Sequence, residues 1–119
     1  FVAEFFGEVN RVDGVVRNGQ IETPLGKFNA TAEMEEGDPA SIVIRYEALR
    51  IEPDGNFGTN AVVIEARLLG RASLIHLSVP TGTEELHLHA RVPGLNSFGE
   101  GTRVRISVDV EQAFVFAAN

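Results

Sequence analysis

The stretch Gly37–Ile51, GDPASIVIRYEALRI, returns later in the chain as Gly101–Val115, GTRVRISVDVEQAFV. One shift lays Gly37 on Gly101, Ile42 on Ile106, Ile44 on Val108 and Glu47 on Glu111. In each copy a glycine opens a strand of alternating apolar residues, a short kinked segment surrounds the glutamate, and a second apolar strand follows. A pattern that recurs in this way predicts two related β units.

Before the first copy, the sequence from Val15 has period two and frequent turn signals. Asn18-Gly19, between Val15–Arg17 and Gln20–Glu22, predicts a hairpin, because a type I′ turn needs positive φ at both central residues. Thr23–Gly26 turns the chain again, Lys27–Ala30 is a short strand, and Thr31–Pro39 is an acidic loop. Pro53–Asn60, PDGNFGTN, reads as a linker. Beyond it five strands are expected: Ala61–Leu69, Ala72–Val79, Glu84–Val92, Thr102–Val108 and Ala113–Phe116. A bulge or sharp bend is expected at Gly70-Arg71 and a turn at Thr81-Gly82. Alternation points Ile75, Leu77, Val79, Leu86, Leu88, Ala90, Val104, Ile106 and Val108 toward the core. A three-strand meander, a crossover through Pro93–Gly99 and two more strands predict an all-β, OB-fold-like barrel over 61–119. A smaller version occupies 8–52, with 53–60 as the linker. At the start, Phe1, Val2, Phe5 and Phe6 form an apolar stripe on a helix ended by Gly7. So short a helix is marginal alone, so 1–7 is expected to be the remnant of a longer one, and the chain a piece of a longer protein.

Composition narrows the function. Ten basic against seventeen acidic residues give a formal charge of −7, which repels phosphate backbones, and the strand faces lack exposed aromatics on which bases stack. Nucleic acid is therefore not an expected partner. Seven acidic groups against Arg45 and Arg50 crowd 31–60, so an anion-binding surface is expected elsewhere. The absence of cysteine leaves no disulfide framework and no thiolate metal site. No apolar run approaches the roughly 20 residues needed to span a bilayer as a helix.

Four separated blocks carry a family resemblance: FVAEFFGEVN at the start, IRYEALRI at Ile44–Ile51, LLGRASLIHLSV followed by LHARVPG, and GTRVRISVDVEQAFVF. Together they resemble the C-terminal regulatory region of importer-type ABC ATPases, the TOBE domain, a relative of the MOP-like folds. In that family the first block ends the helix leaving the nucleotide-binding domain, and the second is a signature in which Tyr46 here replaces the usual proline. The resemblance implies a noncatalytic regulatory and dimerisation domain of an importer for ferric iron, polyamine or a similar small solute. It also implies a homodimer, a missing ATPase domain that holds ATP and Mg, membrane permease subunits, and a place at the cytoplasmic face of the membrane. The alternative it leaves open is a stand-alone module that binds an oxyanion such as molybdate, or a metal.

No catalytic motif accompanies these blocks. The nearest approach to a phosphate-binding loop, Gly14–Ile21, has two glycines but neither the lysine for phosphate nor the hydroxyl for magnesium, and reads as a hairpin. A turn at Thr81-Gly82 sets His76 opposite His87 and Ile75 opposite Leu88, and puts His76, His87, His89 and Glu85 on one outer face. Such a face is expected to be solvated; its other use is a transition-metal site or a proton switch. Arg103 and Arg105 share an outward face, with Arg91 as a third candidate for holding an oxyanion. Phe114, Val115 and Phe116 make a strand apolar on both faces and, with Leu95 and Phe98 of the crossover, are the expected interface residues.

Overall fold

The computed structural model of the chain describes residues 9–52, 58–82, 84–94 and 99–117. Turn chemistry divides them into antiparallel strands. Asn18 and Gly19, at φ of 53° and 76°, fold Val9–Arg17 (β1) back on Gln20–Thr23 (β2), as a type I′ turn does. Gly26–Asn29 (β3) completes a meander, and Pro39–Arg45 (β4) returns along the other side of β1. A 3-10 segment, Tyr46–Ala48, then leads into Leu49–Glu52 (β5). The second half repeats the order with Thr59–Leu69 (β6), Ala72–Thr81 (β7), Glu84–Pro93 (β8) and Arg103–Val108 (β9). A second 3-10 segment, Val110–Gln112, precedes Ala113–Ala117 (β10). The kinked segment expected around each glutamate is thus present in both copies.

Two five-stranded sheets result, in the orders β10-β4-β1-β2-β3 and β5-β9-β6-β7-β8. Each borrows its end strand from the other half, because each 3-10 crossover carries the chain out of one sheet and into the other. Ile44 pairs with Ala113, and the shift that lays Gly37 on Gly101 carries this pair onto Val108 and Leu49, which also pair. Backbone bonds repeat as well: Gly37 N donates to Val16 O at 2.9 Å, and Gly101 N to Val63 O at 2.7 Å. Val16 N donates to Asp38 O and Val63 N to Thr102 O, each at 2.9 Å. The internal repeat is therefore a pseudo-two-fold with reciprocal strand exchange.

The curled, OB-like sheets agree with the expected fold class, but two details differ. The fifth strand of the second sheet is β5, while Ala113–Ala117 lies on β4 of the first. Periodicity says which face of a strand is apolar; it is silent on which edge the strand joins. Gly70, at φ 66°, is half of a two-residue loop joining Leu69 to Ala72, so of the two forms expected at Gly70-Arg71 the sharp bend is present, as a hairpin turn. The bulge falls between Val63 and Glu65 instead, where β9 stops pairing with β6.

One buried apolar cluster runs through both sheets, from Val12, Ile21 and Ile44 to Ile75, Leu88 and Ile106, and includes Ala48 and Leu49 of the first crossover. Each fully buried Ile or Leu contributes about 1.5–3 kcal/mol. Close backbone packing also demands glycine just before β6: Gly58 has φ 96°, and a Cβ there would strike the carbonyl of Ile106.

Candidate functional site

The β7–β8 hairpin sets Thr81 opposite Glu84, so His76 faces His89 and His87 faces Ser78. The expected pairing of His76 with His87 is corrected by this register. Gly82, at φ 81°, takes the first loop position, where hairpin turns favour positive φ, and moving the turn by one residue slides the pairing by two. A slide of two keeps every side chain on its face, so the three histidines still meet.

They meet as an array. The ring of His89 stacks on His76 with centroids 4.6 Å apart and planes 11° apart. His76 and His87 are tilted, with centroids at 5.1 Å, and His76 Nε2 lies 3.0 Å from His87 Nδ1. On the far side Tyr46, from the first crossover, stacks on His89 at 5.3 Å and 27°. His87 Nε2 lies 3.6 Å from Glu85 Oε2. Beneath the stack the buried Asn10 side chain grips the backbone of His89, donating from Nδ2 to its carbonyl at 2.8 Å and accepting its N–H at 2.7 Å. Burial, then the positive charge available on His76 and His87, holds the imidazole of His89 below its usual 6.5.

This geometry suits a proton better than a metal. The short N···N contact and the centroid spacing point the two ring nitrogens at each other, whereas ligands of one metal ion point at a third position. No group of three or more His, Asp or Glu among the described residues is disposed to hold a metal ion. Beside the array lies a shallow concavity of about 120 Å³ lined by Glu65, Arg67, Leu74, His76 and His89, with Arg67 paired to Glu65 at 3.1 Å.

Two other depressions are related by the internal repeat. One, of about 390 Å³, is lined by Arg11, Asp13, Gly14, Val15, Pro39 and Ala40. The other, of about 340 Å³, is lined by Asn60, Ala61, Val62, Pro80, Arg103 and Val104. They differ in charge: Asp13, paired with Arg11 at 3.3 Å and accepting from Ser41 Oγ at 2.9 Å, stands in one, and Arg103 in the other. Arg105, on β9 with Arg103, donates to Gly58 O at 3.3 Å, and Arg91 is on β8.

Phe114, Val115 and Phe116 pair with Val43, Ile42 and Ser41 and are half-buried on the end strand of the first sheet. The Arg45 guanidinium lies 5.9 Å from the centre of the Phe114 ring. Leu95, Phe98 and the N-terminal stripe lie outside the described residues. The glycines of Gly14–Ile21 belong to β1 and its turn rather than to a phosphate loop. Sequence reasoning missed Asn10 and the partnership of Tyr46; the tyrosine's departure from the family proline was visible, but its stacking partner is more than 40 residues away in sequence.

Comparison with known proteins agrees with this architecture. All of this chain aligns, at 32% identity, with 34% of the sulfate/thiosulfate import ATP-binding protein CysA 1 of Chromobacterium violaceum, so it spans about a third of that relative. Among solved structures, the cytoplasmic molybdate-binding protein ModG, with molybdate bound, superposes with a TM-score of 0.68 at 10% identity. That match covers 94% of this chain and 96% of ModG and speaks for the fold. The sequence pattern of the TOBE domain matches residues 42–116, from the first repeated strand to the last, and the chain belongs to the TOBE domain family.

Proposed function

We propose that this chain is the noncatalytic C-terminal regulatory and dimerisation domain of the ATP-binding subunit of an ABC importer. The observation that carries this reading is the alignment of the whole chain with one third of an import ATP-binding protein. In this reading ATP and Mg are bound by the ATPase portion, for which this chain has no phosphate loop. Permease subunits and a second copy are the partners, at the cytoplasmic face of the membrane. No helix among the described residues is long and apolar enough to cross a membrane. The relative is named for sulfate and thiosulfate, whereas the sequence blocks suggested ferric iron or polyamine; in either case receptor and permease subunits choose the solute. Reading the gene upstream of the Phe1 codon tests the proposal: a continuous frame containing a phosphate-binding loop supports it, and a start codon beside Phe1 overturns it.

A second reading, a small-oxyanion-binding module, is favoured by the ModG fold match. Calorimetric titration with molybdate and with sulfate separates the two. A saturable isotherm at about micromolar affinity, roughly −8 kcal/mol, supports the binding module; no heat leaves the regulatory domain.

A further inference from the structure

We propose that the Tyr46–His89–His76–His87 array is an acid-sensitive latch: it fastens the first crossover to the second sheet while its imidazoles are neutral or share one charge, and releases Tyr46 when a further proton enters the stack. The 3.0 Å contact between His76 Nε2 and His87 Nδ1 requires one N–H donor and one bare nitrogen. One added proton is compatible with it, on the outer nitrogen of His87 facing Glu85. Protonating both rings sets N–H against N–H and breaks the contact. A proton on His89 instead stacks a positive ring 4.6 Å from His76.

The charges around the array come from β6, β8 and the first crossover, and from Arg50 and Glu52 on β5, which also packs against β8. From β6, Glu65 is engaged by Arg67. From β8, Glu85 lies at the His87 end of the array and Arg91 follows His89 on the same face. From the crossover come the phenol of Tyr46 and the exposed Glu47. Burial, and then the neighbouring His76 and His87, hold His89 below its usual value. Its lowered value means that the folded state resists the proton. The contribution of the latch is therefore whole above 6.5 and is lost as pH falls through the value in the folded chain. Because Asn10 pins the His89 backbone through two hydrogen bonds, the strand stays in place and the crossover gives way.

The chain carries its own reporter, since Tyr46 is the only tyrosine and there is no tryptophan. Acrylamide quenching of tyrosine emission, followed from about pH 8 to about pH 5 across the histidine range, is expected to rise with a midpoint below 6.5, while far-ultraviolet circular dichroism stays constant. His89→Phe keeps a ring under Tyr46 without a titrating nitrogen and is expected to abolish the rise. His76→Gln, a check should that variant fail to fold, is expected to move the midpoint up by removing a neighbouring positive charge. Quenching that is flat in the wild type, a rise that survives in His89→Phe, or a midpoint that His76→Gln leaves in place overturns the latch.

Discussion

Tyr46 and Val110 hold corresponding positions in the two crossovers, yet Tyr46 is stacked on His89 and Val110 is 65% exposed. The sequence around them repeats; their surroundings do not. β8 runs for ten residues and packs on the first crossover, whereas its counterpart β3 has four, and no comparable packing joins β3 to the second among the described residues. The two crossovers are consequently held by different forces. The first buries Ala48 and Leu49 in the common core and has no side-chain cap. The second is tied by its own polar groups: Asp109 accepts from Glu111 N at 3.2 Å and from Gln112 Nε2 at 3.0 Å. A repeat thus copies a local turn, and the length of a neighbouring strand decides whether the turn becomes part of a site.

Exchanging residues between the crossovers tests this contrast. Ala48→Gln, which installs the residue of the second crossover in a fully buried position, is expected to cost about 3 kcal/mol or more, from overpacking and an unpaired amide. Gln112→Ala is expected to cost about 1 kcal/mol or less, the worth of an ordinary hydrogen bond. Urea unfolding of both variants measures the difference, and equal losses would break the comparison.

The aromatic exchange is smaller. Tyr46→Val removes the stack on His89 and is expected to lower stability by about 1 kcal/mol, while Val110→Tyr stays within about 0.5 kcal/mol at its exposed position. Thermal melts that rank these two variants the other way would place the packed crossover at the wrong end of the molecule.

The smallest effect is expected from Asp109, whose carboxylate lies below its usual 3.8, first through the Gln112 side chain and then through the Glu111 N–H. A lowered carboxylate stabilises the fold above its unfolded value, and that contribution disappears as pH falls through the folded value. Asp109→Asn is therefore expected to flatten the dependence of stability on pH below about 4, and Tyr46→Val to leave it intact. An unchanged acid slope in Asp109→Asn would show that the second crossover does not depend on the charge of its cap.

Much of this was legible in the chain. The repeat, the Asn18-Gly19 hairpin, the inward set Ile75, Leu77, Val79 and Leu88, and the kink at each glutamate are local, set by periods of two and by turn residues. The shared face of the histidines was legible for the same reason, although their pairing was not: the expected register and the observed one, a slide of two residues apart, leave the same faces and different partners.

What the sequence by itself determined, then, is the all-β character, the two units and the faces of their strands, because alternation and turn chemistry act over a few residues. The tertiary structure alone decided that β5 and β10 change places, that Asn10 grips the backbone of His89, and that Tyr46 completes the stack. Edge choice depends on which backbone groups remain unpaired once the meanders have formed, and stacking depends on the reach of β8. Both are set by residues far apart in the chain, which no local pattern records.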